Sequence, residues 1–270
     1  MKTSPTTWVS SVKIIACFMI FIHHYLKAVL VIDSYTISPI VAISLFLFIS
    51  GFLATGKDCK SVQWLSRKII RVYVPLVLVL VPTVMANAFL NLKQVAFPGI
   101  AIEMLGGALF VERPFYEALW FATLIFGLYF IVYLSSHILK WHYIALGLLL
   151  CFYFELIMFL PHTYFIDRTK LTIWLVSFYL GCISLNFMKV SGEASGEKSR
   201  EREILNQLIY NVSSYSLPFY LVHGPILFVL SHALQAHKEL TLLVGLFLSI
   251  SCAVILDKIS LIICRKCSIK

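Results

Sequence analysis

Residues 10–31 read SSVKIIACFMIFIHHYLKAVLV. As an α-helix rising 1.5 Å per residue, this stretch is about 33 Å long. The hydrocarbon core of a bilayer is about 30 Å thick. The run from Ile14 to Ile22 carries no charge, so the segment predicts a membrane span. It would also suit the apolar region of a signal peptide, but no small-residue cleavage site follows. His23, His24, Tyr25 and Lys27 come instead, and the segment reads as a retained helix.

Outward from this stretch the pattern repeats. Further spans are predicted at about 38–56, 72–91, 118–138, 142–160, 171–188, 212–234 and 240–263. The stretch 95–111 is apolar but is broken by Pro98, Gly99, Gly106 and Gly107 and carries Glu103. It reads as re-entrant or interfacial, with a poor ninth span as the alternative. The 270 residues are 60% hydrophobic and only 13% charged. A soluble domain carries about 25% charge, so this chain cannot cover a water-facing surface of its size. The expectation is an all-α polytopic transmembrane bundle of about eight spans (eight to ten), forming one domain over residues 1–270.

The formal net charge is +9. The basic residues lie in short breaks between apolar blocks, which is the positive-inside pattern and not a nucleic-acid footprint. With the N-terminus cytoplasmic, fourteen Lys and Arg fall on the cytoplasmic side and six on the far side, which places both termini inside. The stretch 189–203, KVSGEASGEKSRERE, reads as a solvated cytoplasmic loop. Seven scattered cysteines form no disulfide framework, and Cys264-x-x-Cys267 has no second pair beside it. No HExxH, Walker or GxSxG spacing is present, and no metal is expected.

Ionisable groups at membrane depth are expensive and are functional candidates by default. Lys13 and His24 are eleven residues apart, about three turns, so they share one helix face some 16 Å apart along the axis. His23 points about 100° away. The plainer alternative is a snorkelling lysine with interfacial histidines. After the second span comes Arg67-Lys68-Ile69-Ile70-Arg71-Val72-Tyr73-Val74-Pro75. Arg67 and Lys68 lie four and three residues before Arg71 and share its face. Such a cluster suits phosphates, which Arg grips with a planar fork. It equally suits a positive-inside flank. Glu155, mid-span, is expected to face the interior or be protonated, and His223 is a lone histidine in an apolar span.

In order along the chain these segments resemble the acyltransferase-3 family of integral membrane acyltransferases. The first helix of that family carries an Arg, ten residues, then His; Lys13 and His24 stand there. Leu47-Phe48-Ile49-Ser50-Gly51-Phe52-Leu53 resembles its FFxxSGFL phrase. Arg67, Lys68, Arg71, Tyr73 and Pro75 resemble its RxxR-like segment. Leu119-Trp120-Phe121, Tyr179-Leu180-Gly181 and Ser216-Leu-Pro-Phe-Tyr220-Leu-Val-His223 resemble three later phrases. The departures are Lys13 for the usual Arg, Ser10 where an acidic residue often stands, Lys68 for the first Arg, and eight spans against the usual ten.

The resemblance implies transfer of an acyl group, often acetyl, from cytoplasmic acyl-CoA to a hydroxyl of a cell-surface or lipid-linked glycan. It implies a multi-pass protein of the cell membrane, in contact with lipid and with no nucleic-acid partner. It assigns catalysis to His24 and Lys13 and acyl-CoA binding to Arg67, Lys68, Arg71 and Tyr73. Ser50, Trp120, Tyr220 and His223 would be supporting residues. Histidine is a natural general base for a hydroxyl, although transient acyl carriage by His24 is equally open. The rival class is a transporter or flippase for a glycolipid or small anion using the same buried charges, although no repeated half is visible. A non-catalytic family member is a third reading.

Overall fold

In the computed structural model the described residues are 7–30, 37–55, 59–90, 97–105, 107–108, 120–138, 142–159, 167–190, 200–234 and 237–267. Among them the chain is all helix: α1 (Thr7–Val29), α2 (Ile37–Ala54), α3 (Val62–Leu90), α4 (Phe97–Met104), α5 (Trp120–Ser136), α6 (His142–Phe159), α7 (Arg168–Val190), α8 (Arg200–Ser214), α9 (Ser216–Ala233) and α10 (Lys238–Cys267). Helix is what lipid demands, because backbone groups in hydrocarbon must pair within the segment. Among the described residues four helices are long and apolar enough to cross a membrane: Thr7–Val29, Val62–Phe89, His142–Phe159 and Lys238–Cys264. Pro39–Ala54 and Trp120–Ser136 are shorter apolar helices. Large side chains face outward, with Phe89 82% and Phe159 88% exposed. Water would penalise such a surface, whereas lipid does not.

Two elements differ in detail from the sequence expectation. The span expected at 212–234 is broken at Tyr215, and Gln207–Ser214 and Ser216–Ser231 meet at 48°. Pro218 explains the break: its ring would clash with the carbonyl four residues back, at Ser214, and it has no N–H to donate there. Ser213 and Ser214 turn their hydroxyls onto the Tyr210 and Asn211 carbonyls, at 2.9 and 2.7 Å. The expected loop 189–203 is helical at both edges, ending α7 and starting α8; its centre, 191–199, lies outside the described residues. Among the described residues of the broken stretch 95–111, α4 is eight residues or about 12 Å long, too short to cross hydrocarbon by itself, and Glu103 is fully buried in it.

The chain forms two compact units, Met1–Thr55 with Val176–Val254, and Gly56–Leu175 with Ile255–Lys270. In the first, α1 packs against α2, α8 and α9. Its start is anchored by Trp8, whose ring meets Phe52 edge-on with centroids 5.2 Å apart. Its end is tied by the Tyr25 hydroxyl, which donates to the Lys238 carbonyl at 3.0 Å. Helix α2 meets the second half of α7 backbone to backbone. A Cβ on Gly51 would strike the Phe178 carbonyl, and one on Gly181 would strike the Phe48 carbonyl. The Thr55 hydroxyl closes the same seam by donating to the Cys182 carbonyl at 3.1 Å. Small residues allow this approach in lipid, where packing and not water exclusion holds helices together.

In the second unit α5 packs against both α3 and α6. Gly127 leaves room for the Tyr153 ring, whose hydroxyl reaches the Thr123 and Leu124 carbonyls at 3.4 Å each. Trp120 stacks on Trp174 with centroids 4.9 Å apart and planes 19° from parallel. Helix α3 continues through Pro75 and Pro82; next to the second, the Thr83 hydroxyl donates to the Val79 carbonyl at 2.7 Å.

Candidate active site

Four residues of α1 at spacings of four, four and three line up on one face: Lys13, Cys17, Phe21 and His24. This is the face that α9 covers. The buried Cys17 thiol donates to the Ser216 carbonyl at 3.2 Å, at the first residue of α9. Phe21, fully buried, meets the Phe219 ring at 5.8 Å and the His223 ring at 6.3 Å between centroids. One turn further on, the His24 ring reaches the His223 ring at 5.0 Å, with the planes at 55°. Lys13 and His24 are both half-buried on this face.

His223 is fully buried. Its Nδ1 lies 3.0 Å from the Phe219 carbonyl oxygen. A carbonyl only accepts, so Nδ1 carries a proton, and because a second proton would leave an unpaired charge in this apolar surrounding, Nε2 holds the lone pair of a neutral imidazole. That Nε2 is buried with no hydrogen-bond partner. Leaving a buried polar atom unpaired costs about 1–3 kcal/mol, and native structures rarely tolerate it without a reason. The surroundings are aromatic: Phe219 stacks on the ring at 5.8 Å and 11°, and Tyr220 sits at 5.8 Å. Phe46 of α2 in turn meets Tyr220 at 6.2 Å. His23 is also close, its ring 5.4 Å from that of His24.

Of the residues expected from sequence, the structure therefore gathers His24, His223 and Tyr220 at one place, with Lys13 further along the same face of α1. Ser50 is half-buried on α2, directly before the Gly51 contact. Arg67, Lys68, Arg71 and Tyr73 lie on α3, and Trp120 on α5, in the other unit. Arg67 and Arg71 are exposed and one turn apart. Lys68 differs from them. Its ammonium lies over the Trp64 ring at 5.7 Å and the Tyr129 ring at 5.4 Å, a cation–π arrangement that joins α3 to α5. Trp120 is buried against Trp174 as part of the packing of its unit. Glu155, expected to face the interior or be protonated, does not face the interior: it is exposed one turn from the end of α6, on a cavity shared with Arg168. Leu119 of the Leu-Trp-Phe phrase lies outside the described residues, as do Lys57, Lys93, Arg113, Lys140 and Lys198 among the charges that set orientation. Among the described residues no group of three or more His, Cys, Asp or Glu side chains could hold a metal ion.

Sequence reasoning missed Cys17 and Phe21 as the contacts that join α1 to α9. The signal was present, because both share the face already defined by Lys13 and His24. It named His223 as a supporting residue from the resemblance, but no spacing along the chain connects it to His24.

The first helix thus holds the His24 imidazole against a second, buried imidazole, that of His223. The family model that matches the chain is an acyltransferase domain, over residues 6–187, about two thirds of the length. The chain belongs to the acyltransferase-3 family and is, in general terms, a membrane acyltransferase. No curated protein and no solved structure matches it. The matched residues include Lys13, His24, Gly51, Arg67, Arg71 and Gly181 but end before His223, whose place in the site rests on geometry.

Proposed function

We propose that this protein is an acyl-CoA-dependent O-acyltransferase of the cell membrane, moving an acyl group, acetyl in the first instance, to a hydroxyl of a cell-surface or lipid-linked glycan. The observation that supports it best is the His24–His223 contact on the face of α1 that also carries Lys13. In this proposal the chain acts as one domain of about eight spans with both termini cytoplasmic, so that Lys13 lies at the donor end of α1 and His24 some 16 Å beyond it.

The reaction needs three things. The acceptor hydroxyl must lose its proton as it attacks, and His24 is the base. The acyl-pantetheine arm must be drawn from the donor side towards His24, and Lys13, some 16 Å back on the same face of α1, supplies the positive charge that attracts the donor end. The donor phosphates must be held, and the exposed pair Arg67 and Arg71 offers two guanidinium forks one turn apart. Lys68, held over two rings, contributes to that cluster through its charge, and Tyr73 follows on the same helix.

The test is transfer of labelled acetyl from acetyl-CoA to membrane glycan in inverted vesicles, with and without the protein, read by mass spectrometry of the glycan. Label in the glycan only when the protein is present is the expected result. A glycan unchanged by the protein, with acetyl-CoA present and the protein accumulated, would contradict the proposal. It would leave a transporter or a non-catalytic member in its place.

A further inference from the structure

Nothing in the acyl-transfer mechanism above uses the buried Nε2 of His223. Three observations converge on it. First, the hydrogen bond from Nδ1 to the Phe219 carbonyl, at 3.0 Å, puts a proton on Nδ1, and a second proton would leave an unpaired charge among aromatic rings, so the neutral ring offers Nε2 as an acceptor. Second, Nε2 is buried and unpartnered. Third, the nearest ionisable ring in space is that of His24, with centroids 5.0 Å apart. Two imidazoles joined edge to edge by an N–H···N bond of about 2.9 Å, with roughly 1.1 Å of ring radius on each side, have centroids about 5.1 Å apart. The rings therefore already stand at the separation of a hydrogen-bonded pair. A rotation of the half-buried His24 ring supplies the donor that Nε2 lacks.

From this we infer that His223 is the positioning residue of a histidine dyad: its Nε2 accepts a ring N–H of His24, fixing the tautomer that leaves the other His24 nitrogen bare for the acceptor hydroxyl. The inference rests on the acyl-transfer reading given above. His223 itself does not reach substrate, because it is fully enclosed by Phe21, Phe219, Tyr220 and His24. A base oriented by a third group is the general plan of nucleophile activation, and here a neutral imidazole stands where a carboxylate is more familiar. A neutral partner suits an apolar surrounding, since an unpaired carboxylate buried at this depth would be far more expensive.

The proton balance is complete. The acceptor O–H bond breaks and its proton moves to the bare nitrogen of His24. The hydroxyl oxygen bonds to the thioester carbonyl carbon. The C–S bond breaks, and coenzyme A leaves as a thiolate that takes the proton back from His24. Throughout, the second His24 nitrogen keeps its proton in the bond to His223 and shares the positive charge that forms on the ring.

The experiment separates an acceptor from a base and from a filler. His223→Gln keeps an accepting oxygen near Nε2, whereas His223→Leu keeps bulk and offers none. Transfer is measured in vesicles at equal protein level, with kcat and KM for acetyl-CoA separated. In parallel, ¹⁵N-histidine spectra of the purified protein report the ring nitrogens without any need for activity. The expectation is a loss of about 100-fold or more in kcat for His223→Leu with KM unchanged, and a loss within about tenfold for His223→Gln. The spectra should show a neutral Nδ1–H His223 whose Nε2 signal shifts on His24→Ala. Three results would each overturn the inference: His223→Leu within about threefold of wild type, His223→Gln as inactive as His223→Leu, or a His223 signal unmoved by His24→Ala. The spectra stand even if the glycan is never labelled, so failure of the dyad and failure of the proposed reaction are told apart.

Discussion

The α1–α9 face and the α2–α7 seam belong to the same unit and both carry phrases of the family pattern, yet they are built on opposite terms. Along α1–α9, polar side chains are placed where hydrocarbon penalises them: Lys13, His24 and the unpartnered Nε2 of His223. Along α2–α7, side chains are absent at the contact, and Gly51 and Gly181 let the two backbones touch. In the proposed reading the first arrangement carries the chemistry. The second is packing and nothing else. A family phrase thus does not name an active residue by itself. Burial, partners and proton positions decide which phrase is chemistry and which is scaffold.

Substitutions at the seam should act on the amount of folded protein and leave the specific activity of what remains untouched. Gly51→Leu forces a side chain into the Phe178 carbonyl, a backbone atom that cannot rotate away. Overpacking typically costs about 1–3 kcal/mol, and here the strain falls on both helices. The expected outcome is loss of nearly all accumulated protein on immunoblots of membranes. Gly245→Ala is the control, because there a new Cβ would meet side-chain ends, Leu227 at 2.8 Å and Leu230 at 3.6 Å, which can turn. It should accumulate close to wild type.

The basic segment of α3 tests the comparison from the donor side. Arg71 is exposed. Arg71→Ala should weaken acetyl-CoA binding to purified protein about tenfold, the scale of one charge-assisted contact of about 1.5 kcal/mol, with accumulation unchanged. The wild-type affinity should fall with rising salt, as screened charge pairs do. An unchanged affinity would reduce the cluster to an orientation signal.

The smallest effect is expected at the start of α7. Asp167 precedes the helix, and its carboxylate accepts the Lys170 backbone N–H at 2.7 Å and pairs with the Lys170 ammonium at 2.9 Å. That backbone bond, followed by the ammonium, holds its carboxyl below the usual carboxylate range. A depressed carboxyl contributes stability above its unfolded value of about 3.9 and loses it as pH falls through the lower folded value. Asp167→Ala should therefore lower stability by roughly 0.5–1 kcal/mol at neutral pH, the low end for a helix cap. The difference from wild type, followed by thermal unfolding in detergent, should vanish on acidification below that range.

Much of the fold was legible because a membrane span is a matter of length and composition. The α1 face was legible because Lys13 and His24 sit eleven residues apart. What the sequence withheld was which face meets which. Helices such as α2 and α6 are apolar all round, so no amphipathic period marks the buried side. The pairing of His24 with His223, 199 residues apart, is therefore invisible before folding. Lys68 shows the same limit: Trp64 four residues earlier was in view, Tyr129 was not, and both rings hold the ammonium. The break at Tyr215 was readable in principle from Pro218, but the apolar run around it argued for a continuous span.

The central claim is that the polar face of α1 is chemistry and not interfacial snorkelling, and His24 against His23 tests it most directly. The two imidazoles are neighbours, with rings 5.4 Å apart, so any effect of depth, charge or lipid contact should treat them alike. Only His24 lies on the face that meets His223. In vesicles supplied with labelled acetyl-CoA and normalised to protein level, His24→Ala should lose about 10²–10⁴ in transfer rate, the range for removal of a general base, while His23→Ala keeps a good part of the activity. Equal activity in the two variants would contradict the account.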